Sequence, residues 1–272
     1  MEKDKVLYDF YNSLKNGGDV FSRQDLELAI QTLKVAKIDA EIKEKRAHIE
    51  CNTAAFEIKE GVLKKYNGHE EKVVVPDGVT IIGARAFRGC DNIKMVILPG
   101  SVTEIEQHAF AYRRSLKSVY LPDSIKIIHE YAFYDCTRLE EIIIPPKVSY
   151  IAVGTFQGCS SLKSITLTDN ISCIGSSAFS GCKKLKNITI PLDVIRMESN
   201  VFAECESLEN INIPDGTIQI ARRAFSGCFK LKYLKIPASV IDIDEFAFCG
   251  CKNLTIERML GKDSSVIIPP KF

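Results

Sequence analysis

The chain has 272 residues, 46% of them apolar and 26% charged, with a mean hydropathy of zero; this excludes a largely disordered polymer and fits a protein with a sizeable core. Lysine plus arginine (36) balances aspartate plus glutamate (35), so no net field exists to hold a phosphate backbone, and no nucleic-acid partner is expected. No apolar run approaches the ~20 residues that cross a bilayer, so membrane insertion is not expected either. Residues 1–11 carry Glu2, Lys3, Asp4, Lys5 and Asp9 where a signal peptide needs an apolar centre. The expectation is a cytoplasmic protein; a leader lost from the natural chain would instead make it secreted or bound to the cell surface.

Residues 1–54 read as helical. Val6, Leu7, Phe10, Tyr11 and Leu14 fall at helical spacing, and Gly17-Gly18 ends that segment. A second helix opens at Ser22, with Asp25 completing a capping box and Phe21 stapling onto Leu26; its apolar face is Leu26, Ile30 and Leu33. Two uses fit these helices: an extended cap on the remainder of the chain, or a separate module for partner binding or self-association. Residues 55–72 read as a β-cap, because Phe56-Glu57-Ile58 and Val62-Leu63 flank the turn pair Glu60-Gly61.

From residue 73 to 256 the chain repeats itself every 23 residues. Phenylalanine falls at 87, 110, 133, 156, 179, 202, 225 and 248, although the whole chain holds only 14, so composition cannot account for the spacing. Proline recurs at 76, 99, 122, 145, 191, 214 and 237, with Thr168 the exception. Cysteine recurs at 90, 136, 159, 182, 205, 228 and 251, with Arg113 the exception. Triplets such as Ile165-Thr166-Leu167 and Ile211-Asn212-Ile213 alternate apolar and polar residues, as a short strand with one buried face does. Proline, which has no N–H to donate, stops each strand. A second apolar pair, Val102 and Ile105 or Val194 and Met197, marks a return segment, and Ala-Phe then turns inward. One such coil cannot bury its own edge, so eight stack into a solenoid with strands roughly 4.8 Å apart.

The unit Cys159-x-x-Leu162-x-x-Ile165-x-Leu167, followed by Ile171-x-x-Ile174-x-x-x-Ala178-Phe179-x-Gly181, resembles the 23-residue leucine-rich repeat of the BspA-like family, known from bacteria and some protists. The resemblance implies an α/β-type repeat solenoid with a parallel concave sheet of eight coils, here preceded by a helical segment. It implies protein binding and, in some members, adhesion at cell surfaces, with no shared catalytic residues. The second repeat departs from the pattern where Tyr112-Arg113 replaces Gly-Cys. Residues 257–272 read as a C-terminal cap whose closing strand is Val266-Ile267-Ile268.

Little in the sequence carries chemistry. Seven of the ten cysteines occupy one repeat column, where a small buried residue is wanted, so they read as reduced core thiols. The pair Cys249 and Cys251 lacks a second pair at zinc spacing. His108 and His129 lie near Glu106 and Glu130 in sequence and read as solvated surface, as do Arg113-Arg114, Lys183-Lys184 and Arg222-Arg223. Neither a cofactor nor a metal is expected, nor catalysis. What remains is the outward face of the strands. One column runs Val74, Ile97, Tyr120, Ile143, Thr166, Thr189, Asn212, Lys235, and its neighbour begins Lys72, Met95, Ser118, Glu141. Met95, Ile97, Tyr120 and Ile143 are therefore expected to form an apolar patch on the first half of the concave face and to bind a protein partner. A non-enzymatic interaction scaffold is the leading expectation, and an adhesin-like surface protein the alternative.

Overall fold

The computed structural model describes residues 53–260 and the strand Ser265–Ile268. The chain divides between Glu50 and Cys51, and the two helices expected within residues 1–54 lie outside the described residues.

The alternating triplets line up as one long row of parallel strands, the long ladder, hydrogen-bonded in four successive runs. Its strands are Lys72–Val74, Met95–Ile97, Ser118–Tyr120, Glu141–Ile143, Ser164–Thr166, Asn187–Ile188, Asn210–Ile211, Tyr233–Ile236 and Thr255–Met259. Pairing is shifted by one repeat, so Met95 faces Lys72 on one side and Ser118 on the other. The middle residue of each triplet, such as Val96 or Ile165, enters the core. The return segment, expected only as an apolar stretch, is a second parallel ladder. It is built of two-residue strands hydrogen-bonded in three successive runs: Ile81–Ile82, Glu104–Ile105 and Ile127–Ile128; then Tyr150–Ile151 and Cys173–Ile174; then Arg196–Met197, Gln219–Ile220 and Asp242–Ile243. The core therefore lies between two ladders and is enclosed by the turns that join them.

No α-helix occurs among the described residues, where a single 3-10 turn, Thr53–Ala55, precedes the solenoid. The reason is local. Most coils carry two left-handed residues four positions apart, for example His108 (φ 58°) with Tyr112 (φ 63°), and Ser177 (φ 58°) with Gly181 (φ 74°). A right-handed helix cannot pass through such residues.

Antiparallel pairing closes the return ladder at its first end and the long ladder at its far end. Phe56–Lys59 and Val62–Tyr66 form a hairpin, and the second of these strands joins the return ladder parallel to Ile81–Ile82. At the far end Ser265–Ile268 runs antiparallel to Thr255–Met259. The return ladder instead stops at Asp242–Ile243, with no further strand beside it among the described residues.

The core is organised by the phenylalanine column. Ring centroids from Phe87 to Phe248 follow one another at 4.7–5.7 Å with interplanar angles of 1–19°, and Tyr66 continues the column at 5.7 Å from Phe87. The cysteine column does more than fill space. Cys136 Sγ–H donates to the Phe110 carbonyl (3.1 Å), Cys159 to Phe133 (3.2 Å), and so on to Cys251 and Phe225 (3.0 Å). The same Phe110 carbonyl accepts the Arg113 N–H at 3.2 Å, and Phe133 that of Cys136 at 3.3 Å. Each carbonyl thereby satisfies both lone pairs, one within its coil and one from the next. Burial pushes the Cys136 thiol up to about 12, and it drives Cys159, Cys182 and Cys205 up as well.

Arg113 corrects an expectation. Rather than forming a solvated face, it is buried in the cysteine column, with Nη1 donating to Asp91 at 2.9 Å and Nε to the Ala111 carbonyl at 3.3 Å. An arginine can stand there because its stem fills the column while its charged end reaches a carboxylate at the surface.

Candidate partner-binding surface

Strand alternation places the four expected residues on the outward side of the long ladder. Met95 and Ile97 lie on one strand, Tyr120 and Ile143 on the next two, and Ile97 is in register with Val74 on one side and Tyr120 on the other. Met95, Tyr120 and Ile143 are half-buried. Ile97 departs from the expectation, because none of its surface is accessible. Its side chain, unlike that of Val96, is not part of the main core cluster. It supports the surface rather than contributing to it.

The face changes along the solenoid. In the later coils Thr189, Asn212 and Lys235 are exposed in the same column, and Asn187, Asn210 and Tyr233 in its neighbour. Asn210 Nδ2 donates to Asn187 Oδ1 at 3.2 Å, and the Tyr233 hydroxyl donates to Glu257. The rim carries lysine–glutamate pairs such as Lys94–Glu71 (2.5 Å) and Lys163–Glu140 (2.6 Å). They are exposed and contribute little to stability.

A second surface was not foreseen. Beside the departure at Tyr112-Arg113, four aromatic side chains meet on the turns: His108 stacks on Tyr131 (5.1 Å, 7°), Tyr131 meets Tyr134 edge-on (5.8 Å), and Tyr134 meets Tyr112 edge-on (5.1 Å). Tyr112 stands exposed in a left-handed position that glycine fills in five of the eight coils. Gly154 makes room for the cluster, since a Cβ there would come within 2.3 Å of Tyr131 Cε1. Burial, and after it the Arg85 charge, lowers the His108 pKa. The signal was in the repeat register: His108 and Tyr131 share one column with Gly154, and Tyr112 stands in the glycine column.

The two histidines do not come together as one cluster. His129 Nε2 pairs with Glu104 at 2.7 Å, its Nδ1 lying 3.9 Å from Glu130, while Glu106 accepts the Ala84 N–H at 2.7 Å. No group of three or more metal-ligating side chains is assembled among the described residues, nor does any helix there have the length and apolarity to cross a membrane.

Two parallel ladders enclosing an aromatic column, repeated every 23 residues, define a leucine-rich repeat solenoid of about nine turns. The chain belongs to the BspA type leucine-rich repeat family, whose repeat region matches residues 56–186 and 138–255 in six copies. Among solved structures it is similar to the T. pallidum leucine-rich repeat protein TpLRR, at 30% identity over 67% of this chain and 91% of that one, with a TM-score of 0.62. It is also similar to a leucine-rich repeat protein from Bacteroides ovatus, at 32% identity over 75% of this chain, with a TM-score of 0.56; there it spans half the length of the relative. No curated protein matches the chain.

Proposed function

We propose that the protein is a non-enzymatic scaffold that binds a protein partner on the outward face of the first coils of the long ladder, through Met95, Tyr120 and Ile143. The observation that carries this reading is the change of character along one face: a half-buried apolar group in the early coils gives way, in the same two columns, to exposed Thr189, Asn187, Asn210 and Asn212, with Tyr233 the one aromatic side chain among them. β-propensity alone would spread such residues evenly over equivalent strands. Tyrosine supplies a large contact area at low entropic cost, and a stacked solenoid holds it in place before binding.

The test uses a partner captured from cells that make the protein and then purified. Tyr120→Ala should weaken its binding by about 2 kcal/mol or more, and Asn212→Ala by less than about 0.5. Circular dichroism should show both variants folded. Unchanged binding by Tyr120→Ala and Ile143→Ala would remove the surface from consideration.

A further inference from the structure

A run of exposed apolar side chains lies on the return side of the last coils. Leu192 is 78% exposed, Ile195 50%, Ile218 41% and Ile241 80%. The last three occupy one repeat column, which reads Thr80, Thr103, Lys126, Ser149 and Ser172 in the preceding coils. They are adjacent in space, because Ile218 N–H donates to the Ile195 carbonyl (2.8 Å) and Ile241 N–H to that of Ile218 (3.0 Å). The stripe runs directly to the end of the return ladder that lacks a closing strand.

That end is unsatisfied in a specific way. In the last three coils each offers two carbonyls to the next: Ile195 to Ile218 and Met197 to Ala221, then Ile218 to Ile241 and Ile220 to Asp244. By the repeat, the Ile241 and Ile243 carbonyls point onward, where no further coil brings N–H donors among the described residues. The opposite end of the same face is the hairpin strand Phe56–Lys59. One of its edges pairs with Val62–Tyr66, and its other edge bonds to nothing among the described residues, with Glu57, Ile58 and Lys59 all exposed. Such edges pair with other chains unless something deters them.

Charge is the usual deterrent, and its arrangement here discriminates between ends. Residues 240–246 hold Asp242, Asp244 and Glu245 against one basic side chain, Arg258, whose Nη2 donates to the Val240 carbonyl at 3.1 Å; the acidic excess opposes pairing of two C-terminal ends. The N-terminal hairpin holds three basic residues, Lys59 on its edge strand and Lys64 and Lys65 on the inner one, against Glu57 and Glu60, beside the exposed Ile58. Since Phe56–Lys59 runs antiparallel to the strands of the return ladder, its free edge can extend that ladder in another copy as an antiparallel strand.

We propose that a second copy of this chain docks head to tail, the Phe56–Lys59 edge of one molecule pairing with the Asp242–Ile243 edge of the next. Ile58 then covers the end of the isoleucine stripe, and Lys59 faces the Asp242 side. The contact is heterologous and leaves a free edge at each end, so it propagates as an open chain rather than closing as a dimer. A contact this short belongs to the weak class of interfaces, and association is expected at roughly tens to hundreds of micromolar.

Sedimentation equilibrium of the full chain tests it, with three proteins: the parent, Lys59→Glu and Asp242→Lys. The parent mass should rise above the 30.4 kDa monomer with concentration, and each variant alone should remain monomeric, because positions 59 and 242 then carry like charges. An equimolar mixture of the two variants should regain the parent's behaviour, since the carboxylate introduced at position 59 of one molecule meets the ammonium introduced at position 242 of the other. Raised salt should weaken parental association. A parent that stays monomeric up to roughly 500 μM overturns the proposal. So do variants that associate as the parent does, which would place self-association elsewhere, or a mixture that fails to recover.

Discussion

Phe179→Ala probes the aromatic column at its centre. Phe179 has no accessible surface and is stacked between Phe156 (5.7 Å, 5°) and Phe202 (5.5 Å, 4°). Truncation leaves a void of about 100 Å3, which at roughly 24 cal/mol per Å3 costs about 2.4 kcal/mol before any relaxation. Lost transfer free energy adds about 2 kcal/mol, and the two lost ring contacts bring the total to about 4–5 kcal/mol. Phe248 is the control within the column, since it is slightly exposed and has one stacked neighbour, Phe225; Phe248→Ala should cost about half as much. Lys183→Ala removes an exposed pair with Glu206 (2.9 Å) and should change stability by less than about 0.5 kcal/mol. Urea unfolding followed by circular dichroism gives all three midpoints. Phe179→Ala within about 1 kcal/mol of the parent, or no more costly than Phe248→Ala, would refute a continuous column as the core of the fold.

The column thiols should label slowly with a thiol reagent in the native protein and fully after unfolding without reductant, while the exposed Cys173 labels at once; native labelling of Cys159 or Cys182 at the rate of Cys173 would contradict their burial. Because burial raises the folded-state pKa of these thiols, to about 12 at Cys136, the unfolded chain loses its thiol protons first. Their contribution to stability is therefore complete below the usual thiol range and declines as pH rises through it toward 12, which thermal melts should show and Cys136→Ala should lessen. Gly154→Ala should cost about 1–3 kcal/mol, from the φ of 60° and the encounter with Tyr131; in a Tyr131→Ala background, chemical denaturation should find the cost smaller. Arg113→Cys should be nearly neutral in the same assay, because it restores a thiol to its column. Asp91→Ala, which leaves the buried guanidinium without its carboxylate, should cost more, about 1–2 kcal/mol.

The repeat register was fully legible in the sequence, because a solenoid core must present the same residue type at the same place in every coil. A column of phenylalanine or cysteine can therefore be read without coordinates. Positions of the strands followed from the same register, since proline ends each triplet and alternation sets its buried face. Other features required the tertiary structure. The apolar pairs of the return segment could not be known as a second ladder, because two residues are too few for alternation to show; their pairing comes wholly from the neighbouring coils. The absence of α-helix from the described coils was hidden too, as Arg85, His108, Tyr131 and Ser177 carry no sequence mark of a positive φ. Exposure was the hardest to read. Ile97 and Ile241 are the same residue type, each in a column of the repeat, yet one is fully buried and the other 80% exposed. Alternation reports which way a side chain points, whereas burial depends on what neighbouring coils and ends place over it, and that is decided only when the chain has folded.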